Sequence, residues 1–242
     1  MRNVILAGVA VAAMLGACSQ SRAQDGGANV QRSYQVGQFQ QIHVAGPYEV
    51  QVRTGGSPSV SASGPEGLIE RLVVEVKGDR LLIHPRRERN NWFAGWRGSR
   101  GTAIIQVTAP ALNAAAIAGS GGIRIDQVRG DRFDGSIAGS GDLEVGDLDV
   151  QQLKLSIAGS GDVRARTGQA RSSRYSIAGS GDIDARGIRA ETAEVSIAGS
   201  GAVSVQATGT ADVKIMGSGD VNVSGGAKCN VSKSGSGSVN CS

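Results

Sequence analysis

Four aspartates occupy a repeated place in this chain. Asp142, Asp162, Asp182 and Asp220 each follow a Gly-Ser-Gly, and the first three recur every 20 residues. If that repeat stacks, neighbouring carboxylates lie about 4.8 Å apart, where like charges disfavour one another. Two chemistries would use such a column. Several carboxylate and carbonyl oxygens together hold calcium; alternatively, each Asp accepts hydrogen bonds from corner amides and stays solvated. Gly122 and Ala202 break the column, and the spacing differs from that of the calcium-binding nonapeptide roll, so the corner role is expected and no metal is assigned. The serines of the same triplets (Ser120, Ser140, Ser160, Ser180, Ser200, Ser218 and Ser236) could be nucleophiles only beside a base. Both histidines, His43 and His84, lie in the N-terminal half, outside these repeats. A hydroxyl ladder at the corner is the expected role. Paired carboxylates that cleave polysaccharide would need one unlike repeat, and these are nearly alike. The chain reads as non-enzymatic and without a cofactor.

The unlike stretch is Pro85–Gly101. It carries Arg86, Arg87, Arg89, Arg97 and Arg100 against the single Glu88, with Trp92, Phe93 and Trp96 among them. Aromatic rings interleaved with arginines stack on sugars or sit at a lipid headgroup surface. The competing reading is an insertion whose rings pack on the flank of the fold. These eight residues, three aromatic and five basic, are the candidate ligand-binding set. The partner they fit is a glycan or an anionic envelope surface.

Three cysteines remain to be placed. Cys18 ends the run Leu15-Gly16-Ala17-Cys18, after a basic start at Arg2 and an apolar segment Val4–Leu15 too short to span a bilayer as a helix. This resembles a bacterial lipobox, which implies a signal peptide over 1–17 and a lipidated Cys18 that anchors the protein in the membrane. Ser19 after the cysteine resembles outer-membrane sorting, so the expected location is the outer membrane of a bacterial envelope. Residues 18–33 are rich in Gln, Ser, Gly and Ala without periodicity, as a flexible tether would be. Cys229 and Cys241 are an even pair in an exported chain and are expected to form a disulfide. By register both continue inward columns, so they should point into the core of the last coils as a cap. The formal charge of +4 falls to +3 once Arg2 leaves with the signal, and no basic block suggests nucleic acid.

The element that must position all of these is Ile-Ala-Gly-Ser-Gly. It begins at Ile117, Ile137, Ile157, Ile177 and Ile197, with looser copies at Ile215 and Lys233 after intervals of 18. Around it apolar residues alternate with period two: Ile123 and Ile125, Leu143 and Val145, and Leu153, Leu155 and Ile157. Three such runs per 20 residues, each ending in a corner, describe one turn of a parallel β-helix. The hand expected for parallel crossovers is right. Six intervals from Ile117 to Lys233 give a rod roughly 29 Å long. The coil from Ile157 carries Ala165, Gly168, Ala170 and Ser173 where its neighbours carry larger groups, and the rod is expected to narrow or bend there.

Upstream, strands are expected at Ile42–Val44, Val50–Val52 and Val60–Ala62, a helical turn at Glu66–Arg71, and a hairpin through Lys77-Gly78-Asp79. The pieces Phe39-x-x-Ile42-x-Val44-x-Gly46, Val50-x-Val52-x-x-Gly55, Ser61-Ala62-Ser63-Gly64-Pro65, Val74-x-Val76-x-Gly78, Leu81-x-Ile83 and Val107-x-x-Pro110-x-Leu112 resemble the head GIN domain, described as a putative auto-transporter adhesin. The resemblance covers roughly Phe39–Gly225 and implies a stacked β fold on a bacterial envelope protein, with no catalytic residues to carry over. The organisation expected is therefore an N-terminal β part over 34–116, containing the insertion at 85–101, and a repeat β-helix over 117–242. The function expected is a surface or periplasmic binding or adhesion module. An enzyme of envelope polysaccharide and a purely structural scaffold are the alternatives.

Overall fold

A computed structural model of the protein describes residues 28–86 and 101–242. The repeats form five long strands, β9 (Gly122–Gly139), β10 (Asp142–Gly159), β11 (Val163–Gly179), β12 (Ile183–Gly199) and β13 (Ala202–Gly217), each parallel to the next. Each long strand is nearly one whole coil. Between β9 and β10, and between β10 and β11, the partners differ by 20 residues throughout, so Ile117, Ile137, Ile157 and Ile177 stack in one column. Three runs per coil were expected, and three occur. Pairing skips one residue at Gly146 and one at Gln151, so two bends fall at single residues inside β10 while only Gly-Ser-Gly breaks the strand.

That triplet is dictated by stacking. Gly159 has φ +136°, which disfavours any residue with a Cβ. A Cβ on Gly161 would stand 2.1 Å from the Gly141 carbonyl oxygen of the preceding coil, so no side chain fits there. Inside, the columns Ile123–Leu143–Val163–Ile183–Val203 and Ile117–Ile137–Ile157–Ile177–Ile197 are buried throughout. Each such aliphatic contributes at most about 1.5–3 kcal/mol relative to exposure. Outside, charges of opposite sign fall on neighbouring coils: Arg124 lies 2.8 Å from Glu144, Arg129 lies 3.0 Å from Asp147, and Arg174 lies 2.6 Å from Glu194.

The coil from Ile157 is not thin. The small residues at Ala165, Gly168, Ala170 and Ser173 are offset by Tyr175, which is wholly buried in the same coil. β11 keeps an unbroken register with β10 along this segment. Tyr175 carries a cost: its hydroxyl makes no hydrogen bond to any described atom, and the neighbouring Ser173 hydroxyl donates instead to the Thr192 carbonyl at 3.1 Å. Burial pushes the Tyr175 phenol up to about 12. The change of period from 20 to 18 is absorbed between β12 and β13, where register shifts fall between Ala185 and Arg189 and between Ala190 and Thr192.

The rod is continued upstream by strands out of chain order. β2 (Gln41–Ala45) pairs with β8 (Ala114–Gly119), and β3 (Tyr48–Thr54) pairs with the start of β9, so β2 and β3 form the coil before the repeats. Beyond them lie β6 (Arg80–Pro85) on β2 and β7 (Ala103–Ala109) on β3, all parallel. The chain thus passes outward to this terminal coil and then crosses back. The end is closed by antiparallel pairs: β5 (Leu72–Lys77) on β6, β4 (Ser59–Pro65) on β7, and β1 (Asn29–Tyr34) on β4. α1 (Glu66–Arg71) buries Ile69, and the hairpin turns through Lys77-Gly78-Asp79 as expected. The tether expected over 18–33 is corrected by β1. Asn29–Ser33 belong to the folded body, held through backbone pairing to Ser61–Pro65, with Val30 packed against the core.

At the other end β14 (Asp220–Ser224) and β15 (Lys228–Ser234) stack on β13, and β16 (Val239–Cys241) stacks on β14. Cys229 and Cys241 form the expected disulfide and occupy the expected columns, below Ala211 and Val223. They are less enclosed than expected. Cys229 is half-buried and Cys241 exposed, because no described coil follows to cover them.

Candidate functional site

The aspartate column is a backbone cap. Asp142 Oδ1 accepts from the Asp162 amide at 3.3 Å, Asp162 Oδ1 from the Asp182 amide at 3.0 Å, and Asp182 Oδ1 from the Ala202 amide at 2.8 Å. Asp220 does the same for Ser238, through both amide and hydroxyl, and these bonds hold its carboxyl below the usual carboxylate range. The carboxylates are thus engaged one coil at a time, and no group of three metal-ligating side chains occurs among the described residues. The corner serines were expected to make a hydroxyl ladder. Their ladder runs instead through the backbone: the amides of Ser140, Ser160, Ser180, Ser200 and Ser218 each donate to the first glycine carbonyl of the preceding coil at 2.9 Å.

Of the arginine–tryptophan set, Arg86 is exposed at the end of β6. Arg87, Arg89, Trp92, Phe93, Trp96, Arg97 and Arg100 lie outside the described residues, as does Cys18. β6 ends at Pro85 and β7 begins at Ala103, and in the next two coils the corresponding strands are joined by Gly46-Pro47 and Gly119-Ser120-Gly121. The flanks are fixed. The Arg86 amide donates to the Arg71 carbonyl at 2.7 Å, and a Cβ on Gly101 would lie 2.9 Å from Pro65 Cγ.

Arg86 also edges a groove on the outer face of the sheet β6–β2–β8–β9–β10–β11, next to the corner. Two columns make its floor. One runs His43, Ala116, Ser136, Ser156, Ser176; the other runs Ala45, Ala118, Ala138, Ala158, Ala178. Long side chains on the next column, Lys154, Arg174 and Glu194, stand above these small ones. The end nearest the terminal coil is polar, with Arg71, Glu75, Lys77, His84 and Arg86. Glu75 accepts from Lys77 at 2.6 Å and lies 3.3 Å from His84 Nε2, and these bonds, Lys77 first, hold its carboxyl below the usual range. Burial lowers the His43 pKa, with Arg80 adding to the effect and Asp79 opposing it.

Sequence reasoning missed this face. The signal for it was identity at outward positions: the Ser before each Ile and the Ala after it recur in Ser136-Ile137-Ala138, Ser156-Ile157-Ala158, Ser176-Ile177-Ala178 and Ser196-Ile197-Ala198. A solvent-facing strand position needs no such uniformity.

The profile of the family described as "Putative auto-transporter adhesin, head GIN domain" matches residues 38–227. This chain belongs to that family. The head GIN fold seen here is shared with a crystal structure described as a putative adhesin from Bacteroides fragilis, 25% identical with a TM-score of 0.78, covering 89% of this chain and 97% of that one. It is shared also with one described as a putative lipid binding protein from Parabacteroides distasonis, 26% identical with a TM-score of 0.73, covering 90% and 98%. A putative adhesin from Parabacteroides merdae, 18% identical with a TM-score of 0.70 over 90% and 97%, shares the fold. No curated protein matches the chain. The family and these neighbours are described as adhesins and a lipid-binding protein rather than as enzymes, which supports an adhesion-like module of the bacterial envelope.

Proposed function

We propose that this head GIN protein is a non-enzymatic lipoprotein of the outer membrane, anchored through Cys18, whose anchored end also contacts an anionic envelope surface. The observation that carries this is the closeness of two places on the terminal coils. The chain enters the fold at Asn29, which pairs with Pro65, and Pro65 is the residue against which Gly101 closes the arginine–tryptophan segment. Entry and the described flanks of that segment, Arg86 and Gly101, therefore share one end. From Cys18 to Ala28 the chain has a contour of roughly 35 Å, so an acylated Cys18 holds that end near the headgroups. Arginine and tryptophan are the side chains that suit that depth. The description of the Parabacteroides distasonis neighbour as a lipid binding protein agrees with a lipid-facing role.

Trp92 and Trp96 are the only tryptophans in the chain, so their emission reports on this segment alone. Residues 18–242 carrying Cys18→Ser are mixed with phosphatidylglycerol vesicles and with phosphatidylcholine vesicles. A blue shift with the first, absent with the second and abolished by Arg97→Glu/Arg100→Glu, is the expected result. Emission indifferent to both vesicles counts against the surface contact. Release of new reducing ends from envelope polysaccharide would instead favour an enzyme.

A further inference from the structure

In the last coil the inward columns lose their cover. Ala211, Val213, Ile215, Val221 and Val223 are each at most 2% exposed, whereas Val231, directly below Val213, is 50% exposed. Cys229 and Lys233 fill the inward positions on either side of Val231. This coil therefore lacks the apolar burial that holds the coils above it. Its closure rests on backbone pairing and on the Cys229–Cys241 bridge.

The two halves of that bridge are held unequally. Cys229 is half-buried in β15, which pairs with β13 over seven residues. Cys241 is exposed in β16, which pairs with β14 over three, and Asn240 and Ser242 beside it are exposed too. Of the three β16 side chains, Val239 alone packs against the core. The bonds from Ser238 to Asp220 and from Asn240 to Asn222 lie at the surface, where water competes for them. Among the described residues no strand covers the far side of β15 or β16. Thiol–disulfide exchange needs a thiolate to reach one sulfur of the bridge, and access helps decide which. Access favours Cys241.

We propose that Cys229–Cys241 is a thiol-exchange site, at which a dithiol of the thioredoxin class attacks Cys241 and unlatches β16. The attacking thiolate bonds to Cys241 Sγ as the Cys229–Cys241 bond breaks, and Cys229 leaves as a thiolate that takes up a proton. The second thiol of the reductant, deprotonated, then attacks its partner sulfur in the mixed disulfide. That closes the reductant's own disulfide and releases the Cys241 thiolate, which is protonated in turn. Two electrons pass from the reductant to the protein. With the 12-residue separation no longer closed covalently, β16 should open on the order of 100-fold more often. The repeats stay closed, because each coil contacts only its neighbours. Release bares the edge of β14, whose Val221 and Val223 are buried while the bridge is intact. The site needs neither the anchor nor the membrane contact.

The test uses residues 18–242 with Cys18→Ser, so that the pair supplies the only cysteines. In native buffer, glutathione followed by iodoacetamide traps the first step. Trypsin then separates the two sulfurs, because it cuts after Lys228 and Lys233. Glutathione should appear on residues 234–242 and the alkyl group on residues 229–233, in at least tenfold excess over the reverse. A thioredoxin-type reductase should reduce the bridge completely without denaturant. Hydrogen exchange should then rise about 100-fold at β16 and stay unchanged across β9–β13. Cys229→Ser/Cys241→Ser should reproduce that pattern, and the reduced wild type gives the same comparison if this variant fails to fold. Glutathione shared equally or carried on Cys229, a bridge reduced only in denaturant, or unchanged exchange at β16 would overturn the assignment. So would faster exchange spreading through β9–β13, which would make the bridge a staple of the whole rod.

Discussion

Phe133 and Gly135 share the volume of one side chain. A Cβ on Gly135 would stand 2.7 Å from Leu143 Cδ2, 2.8 Å from Leu155 Cδ2 and 3.4 Å from Phe133 Cε1. In the next coil the same columns hold Leu153 and Leu155, and in the one after, Ser173 and Tyr175. Large and small residues exchange places across each pair, and the coil stays full. Gly135→Leu should therefore destabilise by about 1–3 kcal/mol through overpacking, and Phe133→Ala by about 3–5 kcal/mol through a cavity. The double variant should lose less than the two losses added, because the leucine enters the vacated space. Denaturant unfolding of the four proteins measures it; simple additivity would show that the two positions do not share space.

Glu144 bridges Arg124, at 2.8 Å, and Arg166. Its carboxyl is held below the usual range by the hydrogen bond from Arg124 first and then from Arg166, against the opposing effect of partial burial. A carboxyl whose folded pKa is depressed stabilises above its unfolded value, near 4.3, and loses that contribution as pH falls through the folded value. The wild type should thus exceed Glu144→Gln in stability at pH 7, and the gap should close on acidification below about pH 4. A gap that widens in acid would reverse the sign assigned here.

Lys233 stands where every earlier repeat has isoleucine, below Ile215, and its Nζ donates to the Gly237 carbonyl at 2.8 Å. A charge on the inward column of the last coil discourages another strand from adding to that edge. Lys233→Ile should promote self-association, visible as a concentration-dependent rise in mass by light scattering. A variant that stays monomeric across that range would show that the lysine has no such role.

Removing Ile157–Ser176 joins Ser156 to Ile177, and Ile177 then stacks on Ile137 in the same column. The protein should stay folded with one coil's share of stability lost, partly offset because Tyr175 and its unpartnered hydroxyl leave as well. Removing ten residues of the same segment should unfold the repeats, since corners would meet strands. Circular dichroism melts of both proteins give the comparison; a folded ten-residue deletion beside an unfolded twenty-residue one would contradict stacking.

Cys18→Ser should release the protein from membranes or leave it unprocessed, because a stable anchor requires the acyl chains. Fractionation and the mass of the mature protein report it, and unchanged membrane association with a normal mass would rule out lipidation at this position.

The repeat made the coil legible, because identical residues at a fixed interval can bury a face only by stacking on copies of themselves. Order among the upstream strands was not legible. Alternation in Ile42–Val44 or Leu81–Ile83 tells which face is inward and nothing about which strand lies next to it, so β6 and β7 outside β2 and β3 could not be read. β1 escaped for a different reason: its side chains are mostly exposed, and an edge strand held by backbone bonds leaves no apolar signature. The alanine stripe was hidden by the opposite bias, since attention to inward residues passes over small outward ones.

The register of exact 20-residue steps also makes the molecule a ruler. Its two ends are specialised, one by antiparallel strands, the other by Lys233 and the Cys229–Cys241 bridge. The coils from Ile117 to Gly199 between them keep one register. Duplication or loss of one repeat would therefore change the distance between the ends by a single increment of about 4.8 Å and shorten or lengthen the alanine stripe by one methyl, with neither terminus redesigned. Reach and the length of the alanine column would be set together by the same count of repeats.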